Sequence, residues 1–510
     1  MKKNSAFRRQ NEDILQKVSH IFGYVGFFLY LCTLLCAKLN RYRVIDSNNI
    51  PQKCNGMRLK SLKITNMRLV GEQPLKIDFA PDKHIALVVG DNGAGKTTIL
   101  DALSHMLSPF IAQFPGLSLD VIPEQDVHID EEGRLASALT MVAEFYEHDD
   151  VTECVGDKLF DDNARDVIKA VRTRKGTGNS KMVESELKEI RNYAASMMEG
   201  VSAGIYKLRL PVLAYYGTDR GSIKGPERRR YSSKNYERWD CYKDALDPAT
   251  NFKRFFAWFD LMEDEERRER EKRKDFDYKS PVLETVREAL DKLLDGKYQR
   301  PRIDTHPLRF VMTEHCAYGG EREIRIEQMS AGFKIMVAMI ADLAARMAEA
   351  NPQSEHPLDE SGIVLIDEID LHLHAKWQRI VLKQLHDIFP RVQFVITTHS
   401  PLVVLGADSD YVQLFKLKSA ADVEEISLTE MSSYDVGLIL LSDAFDVDSI
   451  YSPEIAKSQK RRMELLRKLT LTQEESEELK RLDKQILSLP DSTLSPLLEE
   501  LRRVVTPSNN

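Results

Sequence analysis

The octapeptide Gly90-Asp-Asn-Gly-Ala-Gly-Lys-Thr97 directly follows the apolar run His84-Ile-Ala-Leu-Val-Val89, and every other informative stretch takes its meaning from its relation to it. The pattern G-x-x-x-x-G-K-[ST] is that of a phosphate cradle. Gly90, Gly93 and Gly95 can take positive φ and carry no Cβ, so the backbone of Gly90, Asp91, Asn92, Gly93, Ala94 and Gly95 can turn its N–H groups inward on an anion. Lys96 would reach the β and γ phosphates of a nucleotide, and the Thr97 hydroxyl would bind Mg2+. From Thr97 and Thr98 onward to Leu107 the pattern reads as a helix fading near Pro109, with its N-terminal dipole adding to the anion site.

Five hundred and ten residues with 42% hydrophobic content suit two to four folded domains. The formal charge, 72 minus 80, is −8, so nucleic-acid contact would need a local basic patch. Six cysteines without a C-x-x-C pair give no disulfide framework and no zinc site, and a reducing cytoplasm is the simplest compartment. Residues 1–56 stand apart. No Asp, Glu, Lys or Arg lies between Lys17 and Lys38, and the apolar stretch 20–37 has the length of a marginal membrane span. Basic residues flank both of its ends, and no signal-peptide cleavage site follows. At Met57 the text changes to Met-Arg-Leu-Lys-Ser-Leu, which leads straight into the nucleotide fold. The segment 1–56 therefore reads as an extension dispensable to that fold, with a membrane anchor through 20–37 as the alternative.

Residues 59–64 and 75–79 alternate with period two, as strands of a small antiparallel sheet do. Residues 118–129 read as a strand-rich connection, 136–145 as a strand, 162–171 as a helix and 172–181 as a flexible basic loop. A second basic stretch, Lys224–Trp239, interleaves Arg228, Arg229, Arg230, Lys234 and Arg238 with Tyr231, Tyr236 and Trp239. It fits a nucleic-acid strand, a partner protein or a solvated lid. Leu210–Arg220 reads as a buried core strand ending in a turn. After the aromatic run 252–262, positions 263–275 hold seven acidic and six basic residues, an exposed helix with i,i+4 pairs such as Asp264–Arg268, Glu266–Arg270 and Glu269–Arg273.

Gly362-Ile-Val-Leu-Ile-Asp-Glu-Ile-Asp370 delivers two consecutive acids at the tip of an apolar strand. Asp367 would stand beside the Mg2+ of Thr97, and Glu368 would polarise the attacking water as general base. Val392-Gln-Phe-Val-Ile-Thr-Thr-His-Ser-Pro401 repeats the design with His399 at the tip, placed to hydrogen-bond a γ-phosphate. Upstream, Gln328-Met-Ser-Ala-Gly-Phe-Lys334 opens an apolar helix, 335–347, and its Ser330 and Gly332 offer a hydroxyl and free N–H groups to an anion.

Cradle, Ser-x-Gly helix start, Asp-Glu strand and strand-end His, in that order, make the ATP-binding cassette set. Residues 57 to about 405 resemble the ABC-type AAA ATPases of the structural-maintenance and repair branch, with Met329–Phe333 at the signature position. More closely, the chain resembles the PtuA-like ATPases of Septu-type and retron-linked anti-phage systems. That resemblance rests on Met57–Leu62, Leu213-Ala-Tyr-Tyr-Gly-Thr-Asp-Arg220, Asp367-Glu-Ile-Asp-Leu-His-Leu-His374 with Trp377-Gln378, and Thr397–Pro401. It implies an α/β fold: an ABC-type P-loop NTPase head with an antiparallel β subdomain, an inserted helical subdomain and a helical C-terminal tail. The expected boundaries are 57–150 and 326–405 for the two ATPase lobes, 151–325 for a mostly helical insert with basic loops, and 406–510 for the tail.

The resemblance further implies ATP and Mg2+, His399 as the switch, and Asp370 in the loop that crosses a dimer interface. Ser330 and Gly332 would cap the ATP of the opposite subunit, closing a head-to-tail dimer. The implied partners are an HNH endonuclease and, in retron-linked systems, a reverse transcriptase with its msDNA. The rival reading is a DNA-repair ATPase acting on DNA ends; a transporter subunit is a third. Departures exist: Met329 and Phe333 replace the common signature residues, and the candidate for the Q-loop glutamine is Gln125. His372 and His374 fit the interface loop better than a metal site. In the tail, Asp443-Ala-Phe-Asp-Val-Asp448 lacks the Glu-Gly strand of a Toprim nuclease, so no nuclease activity is expected. Residues 453–505 read as amphipathic helices with apolar Leu465, Leu466, Leu469, Leu479, Leu482 and Ile486, and a Thr472–Glu475 capping box.

Overall fold

The computed structural model describes residues 55–148, 167–175, 183–205, 208–221, 237–249, 252–305, 308–315, 320–431, 434–445, 447, 449, 451–468 and 472–487. The apolar stretch 20–37, the loop beyond residue 175 and the basic run 224–236 lie outside them. Among the described residues, no helix is long and apolar enough to cross a membrane.

The strands are, in chain order, β1 (Asn55–Thr65), β2 (Leu75–Asp78), β3 (Ile85–Gly90), β4 (Ala138–His148), β5 (Val167–Lys175), β6 (Val183–Glu186) and β7 (Val212–Tyr216). They continue with β8 (Tyr298–Thr305), β9 (Leu308–His315), β10 (Glu321–Arg325), β11 (Gly362–Ile366), β12 (Val392–Thr397), β13 (Val412–Ser419) and β14 (Asp422–Ile426). The longer helices are α1 (Lys96–Ile111), α2 (Lys188–Ser202), α3 (Lys253–Arg273), α4 (Pro281–Leu294), α5 (Ala331–Ala350), α6 (Val381–Ile388), α7 (Pro453–Leu466) and α8 (Gln473–Leu487).

The central sheet runs β14-β13-β3-β12-β11-β7, with all neighbours parallel except the β13–β14 hairpin. Strands buried on both faces require continuous apolar runs, and β7, β11 and β12 are buried at every position. A second sheet, β2-β1-β4-β5-β6, is antiparallel and packs over α1, and a third, β10-β9-β8, is a three-stranded meander.

Several expectations are corrected. The segment 151–325 is mixed: β5 and β6 extend the antiparallel sheet, β7 enters the central one, and β8–β10 form the meander, alongside α2, α3 and α4. Residues 167–171 are strand, because Ile168, Ala170 and Arg172 alternate inward against β4. Residues 118–129 hold no strand, only a 3-10 turn at Glu124–Asp126 and isolated bridges. The tail begins with β13 and β14, since Val412, Leu414 and Phe415 complete the cover of β3. The charged helix α3 is one continuous helix with its aromatics buried. Its Glu266–Arg270 and Glu269–Arg273 pairs form, but Asp264 pairs with Arg267, and Glu266 is buried between Arg270 and Arg287. In the tail the Thr472–Glu475 capping box forms, Leu465 is buried and Leu466 is half-exposed.

Helix α1 runs through Pro109 to Ile111. Proline removes the N–H that would bond the carbonyl of residue i−4, here His105. That carbonyl instead accepts from Arg172 Nη1 at 2.6 Å. The Arg172 side chain is fully buried, and it also bonds the Asp120 carboxylate and carbonyl. One guanidinium thus repairs the helix and ties it to β5. Nearby, Arg68 joins Asp101 at 2.6 Å and Asp126 at 2.8 Å, and Tyr215 Oη donates to Asp101 at 2.8 Å. His105 contacts Asp120 and Asp126. Burial disfavours its imidazolium, yet its hydrogen bonds to the two carboxylates hold it above the ordinary histidine range.

Arg172→Met leaves the His105 carbonyl unpaired and Asp120 without its guanidinium. The variant should lose about 3 kcal/mol of stability, read as a lower denaturant midpoint; an unchanged midpoint would show that water replaces the guanidinium.

Candidate nucleotide site

Parallel strands in register share a carboxyl edge, and ligands of open α/β sheets bind outside it. Val88 pairs with Thr397, Ile396 with Ile366, and Ile366 with Tyr216. The ladder continues past the strand ends: Thr398 N–H donates to Val88 O, Ile369 N–H to Thr397 O, and Asp367 N–H to Tyr216 O. The glycine loop, the acid pair, the strand-end histidine and the turn after β7 therefore emerge side by side.

In the loop, Gly90, Gly93 and Gly95 have φ of 156°, 80° and 105°, so the glycines occupy backbone that side chains resist. Gly95 is the N-cap of α1, with no side chain capping the exposed N–H groups. Lys96 is buried, and its ammonium donates to Gly90 O and Asp91 O, both at 2.9 Å. Burial lowers its pKa, against the opposing pull of Asp367, Glu368, Asp91 and Asp370. Thr97 Oγ1 donates to Asp367 Oδ2 at 2.9 Å. A hydroxyl and a carboxylate at the foot of a phosphate loop are hard oxygen donors of the kind that suits Mg2+.

Asp367 is buried, and its other oxygen accepts from Thr397 Oγ1 at 2.5 Å. Glu368 is half-buried in the left-handed region at φ 44°, and its N–H donates to the same Thr397 oxygen at 2.7 Å. Asp370 accepts from Thr398 Oγ1 and from the His399 N–H, so it orients the strand end that presents His399, itself half-buried.

The start of α5 packs against the loop that follows the acids. Ser330 is its exposed N-cap, with no side-chain capping bond. Gly332 is buried, and a Cβ there would stand 2.0 Å from His372 O. His372 has φ 63°, His374 caps the short helix Ala375–Gln378, and Phe333 meets Trp377 edge-on at 5.4 Å.

Other expected residues fall elsewhere. Gln125 is exposed in the 3-10 turn Glu124–Asp126. Arg238, from the basic aromatic stretch, bonds Ala350 O and Leu208 O and so serves the local fold. Arg174 likewise binds Ile122 O. Sequence reading passed over Arg220, whose guanidinium reaches the carbonyls beside the acid pair, and gave Thr397 no role. The only signals for them were the turn after an apolar strand and the threonine pair before His399.

Two family models match the chain. One is an AAA domain described as a putative AbiEii toxin of a type IV toxin–antitoxin system, over residues 215–405; the other is an AAA domain over residues 61–296. The chain is 26% identical over 381 residues to the retron Vc95 probable ATPase of Vibrio cholerae serotype O1 biovar El Tor, spanning 66% of this chain and 70% of that protein. It is 27% identical over 421 residues to the retron Ec83 probable ATPase of Escherichia coli, spanning 71% and 72%. Septu protein PtuA of Bacillus mycoides (strain KBAB4) is 38% identical over 82 residues, 16% of this chain and 11% of that one. Among solved structures, an Smc head bound to the C-winged helix domain of ScpA aligns at 18% identity and TM-score 0.43, over 74% of this chain and all of that one.

Gly332→Ala must push a methyl into the His372 backbone. It should cost about 1–3 kcal/mol and lower the thermal midpoint; a midpoint equal to wild type would mean that the 370–374 loop yields freely.

Proposed function

We propose that this chain, an ABC-type ATPase head similar to retron ATPases and to Septu PtuA, hydrolyses ATP as the nucleotide-dependent sensor or clamp of an anti-phage defence complex. The observation that carries the hydrolysis reading is the 2.9 Å bond from Thr97 to Asp367, which joins the foot of the cradle to the acid pair. The loop N–H groups and Lys96 would bind the phosphates. Thr97 and Asp367 would hold Mg2+, which, when bound with the nucleotide, neutralises charge on the phosphates. Glu368 accepts the proton of the attacking water, and His399 steadies the γ-phosphate. Ser330, exposed at a helix N-terminus, is available to the nucleotide of a second copy, so ATP would close a head-to-tail dimer.

The effector in this reading is a separate HNH endonuclease, joined in retron-linked systems by a reverse transcriptase and its msDNA. It would dock near the tail or on the inserted helices. Helices α7 and α8 are pinned to each other by Arg461–Glu478 and Arg462–Asp483 ion pairs, while Met463 and Leu466 remain 51% and 50% exposed.

Glu368→Gln should bind ATP, hydrolyse it at least a hundredfold more slowly, roughly the loss seen when a general base is removed, and accumulate as a dimer in size-exclusion chromatography. A monomer at saturating ATP would overturn the cassette mechanism. Deletion of residues 453–510 should end co-purification of the nuclease subunit while ATP binding persists; undiminished co-purification would place the partner elsewhere.

A further inference from the structure

Arg220 lies just beyond β7 in the 3-10 turn Thr218–Gly221, and β7 is the parallel neighbour of the strand that carries the acid pair. It is 2% exposed. Its Nη1 donates to Gly217 O at 2.8 Å and to Asp367 O at 2.5 Å, and its Nη2 donates to Glu368 O at 2.7 Å. All three acceptors are backbone carbonyls. A guanidinium buried on carbonyls is an unusual use of charge, because desolvation is costly and a carboxylate would repay it better.

The reason for this placement appears at Glu368. Two peptide planes flank its Cα, and each carries one C=O and one N–H. In the plane before Glu368, Asp367 O accepts from Arg220 and the Glu368 N–H donates to Thr397 Oγ1. In the plane after it, Glu368 O accepts from Arg220 and the Ile369 N–H donates to Thr397 O at 3.0 Å. Arg220 on one side and Thr397 on the other therefore hold all four polar groups. The conformation they hold, φ 44°, is one that non-glycine residues adopt only at a cost. The turn that carries Arg220 is itself anchored, with Gly217 N–H on Pro248 O at 3.0 Å.

We propose that Arg220 is a positioning residue for hydrolysis, its planar fork bridging the carbonyls of Asp367 and Glu368 so that the Glu368 carboxylate is aimed at the water beside the cradle. The inference rests on the reading of Glu368 as general base. Fixing both peptide planes fixes the Cα–Cβ bond, and so the origin of the side chain. Lysine keeps the charge but cannot span two successive carbonyls with a rigid fork, so it cannot substitute.

The test compares Arg220→Lys, Arg220→Gln, Glu368→Gln and the double variant Arg220→Gln/Glu368→Gln in the full chain, measuring steady-state ATP hydrolysis, ATP affinity and thermal midpoint. Misplacing a catalytic group by about 1 Å costs on the order of a hundredfold. Both Arg220 variants should fall by tens- to a hundredfold in kcat, with ATP affinity within about threefold of wild type, the range left to indirect packing effects. In the Glu368→Gln background the Arg220→Gln change should add nothing, because the group it positions is gone. Near-wild-type hydrolysis by Arg220→Lys, a loss that multiplies in the double variant, or a fall in affinity matching the fall in rate would each overturn the proposal. Should Arg220→Gln fail to fold, Arg220→Lys alone decides through the same split of kcat from affinity. Undiminished hydrolysis by Glu368→Gln would instead bring down the general-base reading, independently of how Arg220 behaves.

Discussion

One register of parallel pairing, from β3 through β12 and β11 to β7, is the constraint on which the rest of the molecule depends. It aligns four strand ends that lie far apart in the chain, and it does so through backbone hydrogen bonds that continue beyond the strands at Thr398, Ile369 and Asp367. A shift of two residues along any one strand would keep its buried face and still move its terminal side chain by about 7 Å. The site would then be lost while the core survived.

Around that edge the protein uses buried and half-buried charge in two ways. Near α1, Arg68, Asp101, Asp120, Asp126, His105 and Arg172 form a network of opposite charges that joins the antiparallel sheet to the helix behind the cradle. Its members are paired, which is the condition under which buried charges are tolerated. At the acid pair, by contrast, Arg220 spends its charge on carbonyls, and burial lowers its pKa against the opposing pull of three carboxylates, those of Asp367, Asp370 and Glu368. Thr397 serves from the opposite side with one hydroxyl that accepts from Glu368 N–H and donates to Asp367. A single threonine thus couples the Asp367 carboxylate to the backbone of its neighbour.

Helix α5 and the loop 370–374 are held together by the absence of a side chain. At Gly332 the His372 carbonyl approaches so closely that only hydrogen fits, and His372 takes a left-handed conformation to make the approach. The ring of Phe333 then stacks edge-on against Trp377. A glycine in a Ser-x-Gly pattern thereby gains a packing role within its own chain, next to the anion contact that its pattern suggests.

The sequence by itself determined the cradle, the Asp-Glu strand and the strand-end histidine, because each is a short local pattern: an apolar run of strand length, rich in β-branched residues, followed by the group it presents. It also determined the similarity to retron ATPases and PtuA, through stretches that are contiguous in the chain. It misread β5 as part helix and part loop, because a buried arginine looks like a surface one until its partners are known. Only the tertiary structure could show that Arg172 replaces the hydrogen bond broken by Pro109, that Arg220 grips the peptides beside Glu368, and that Gly332 faces a carbonyl. In each case the partner is a backbone atom distant in the chain. Every residue has the same backbone carbonyl, so no pattern of side chains can announce which one will be met.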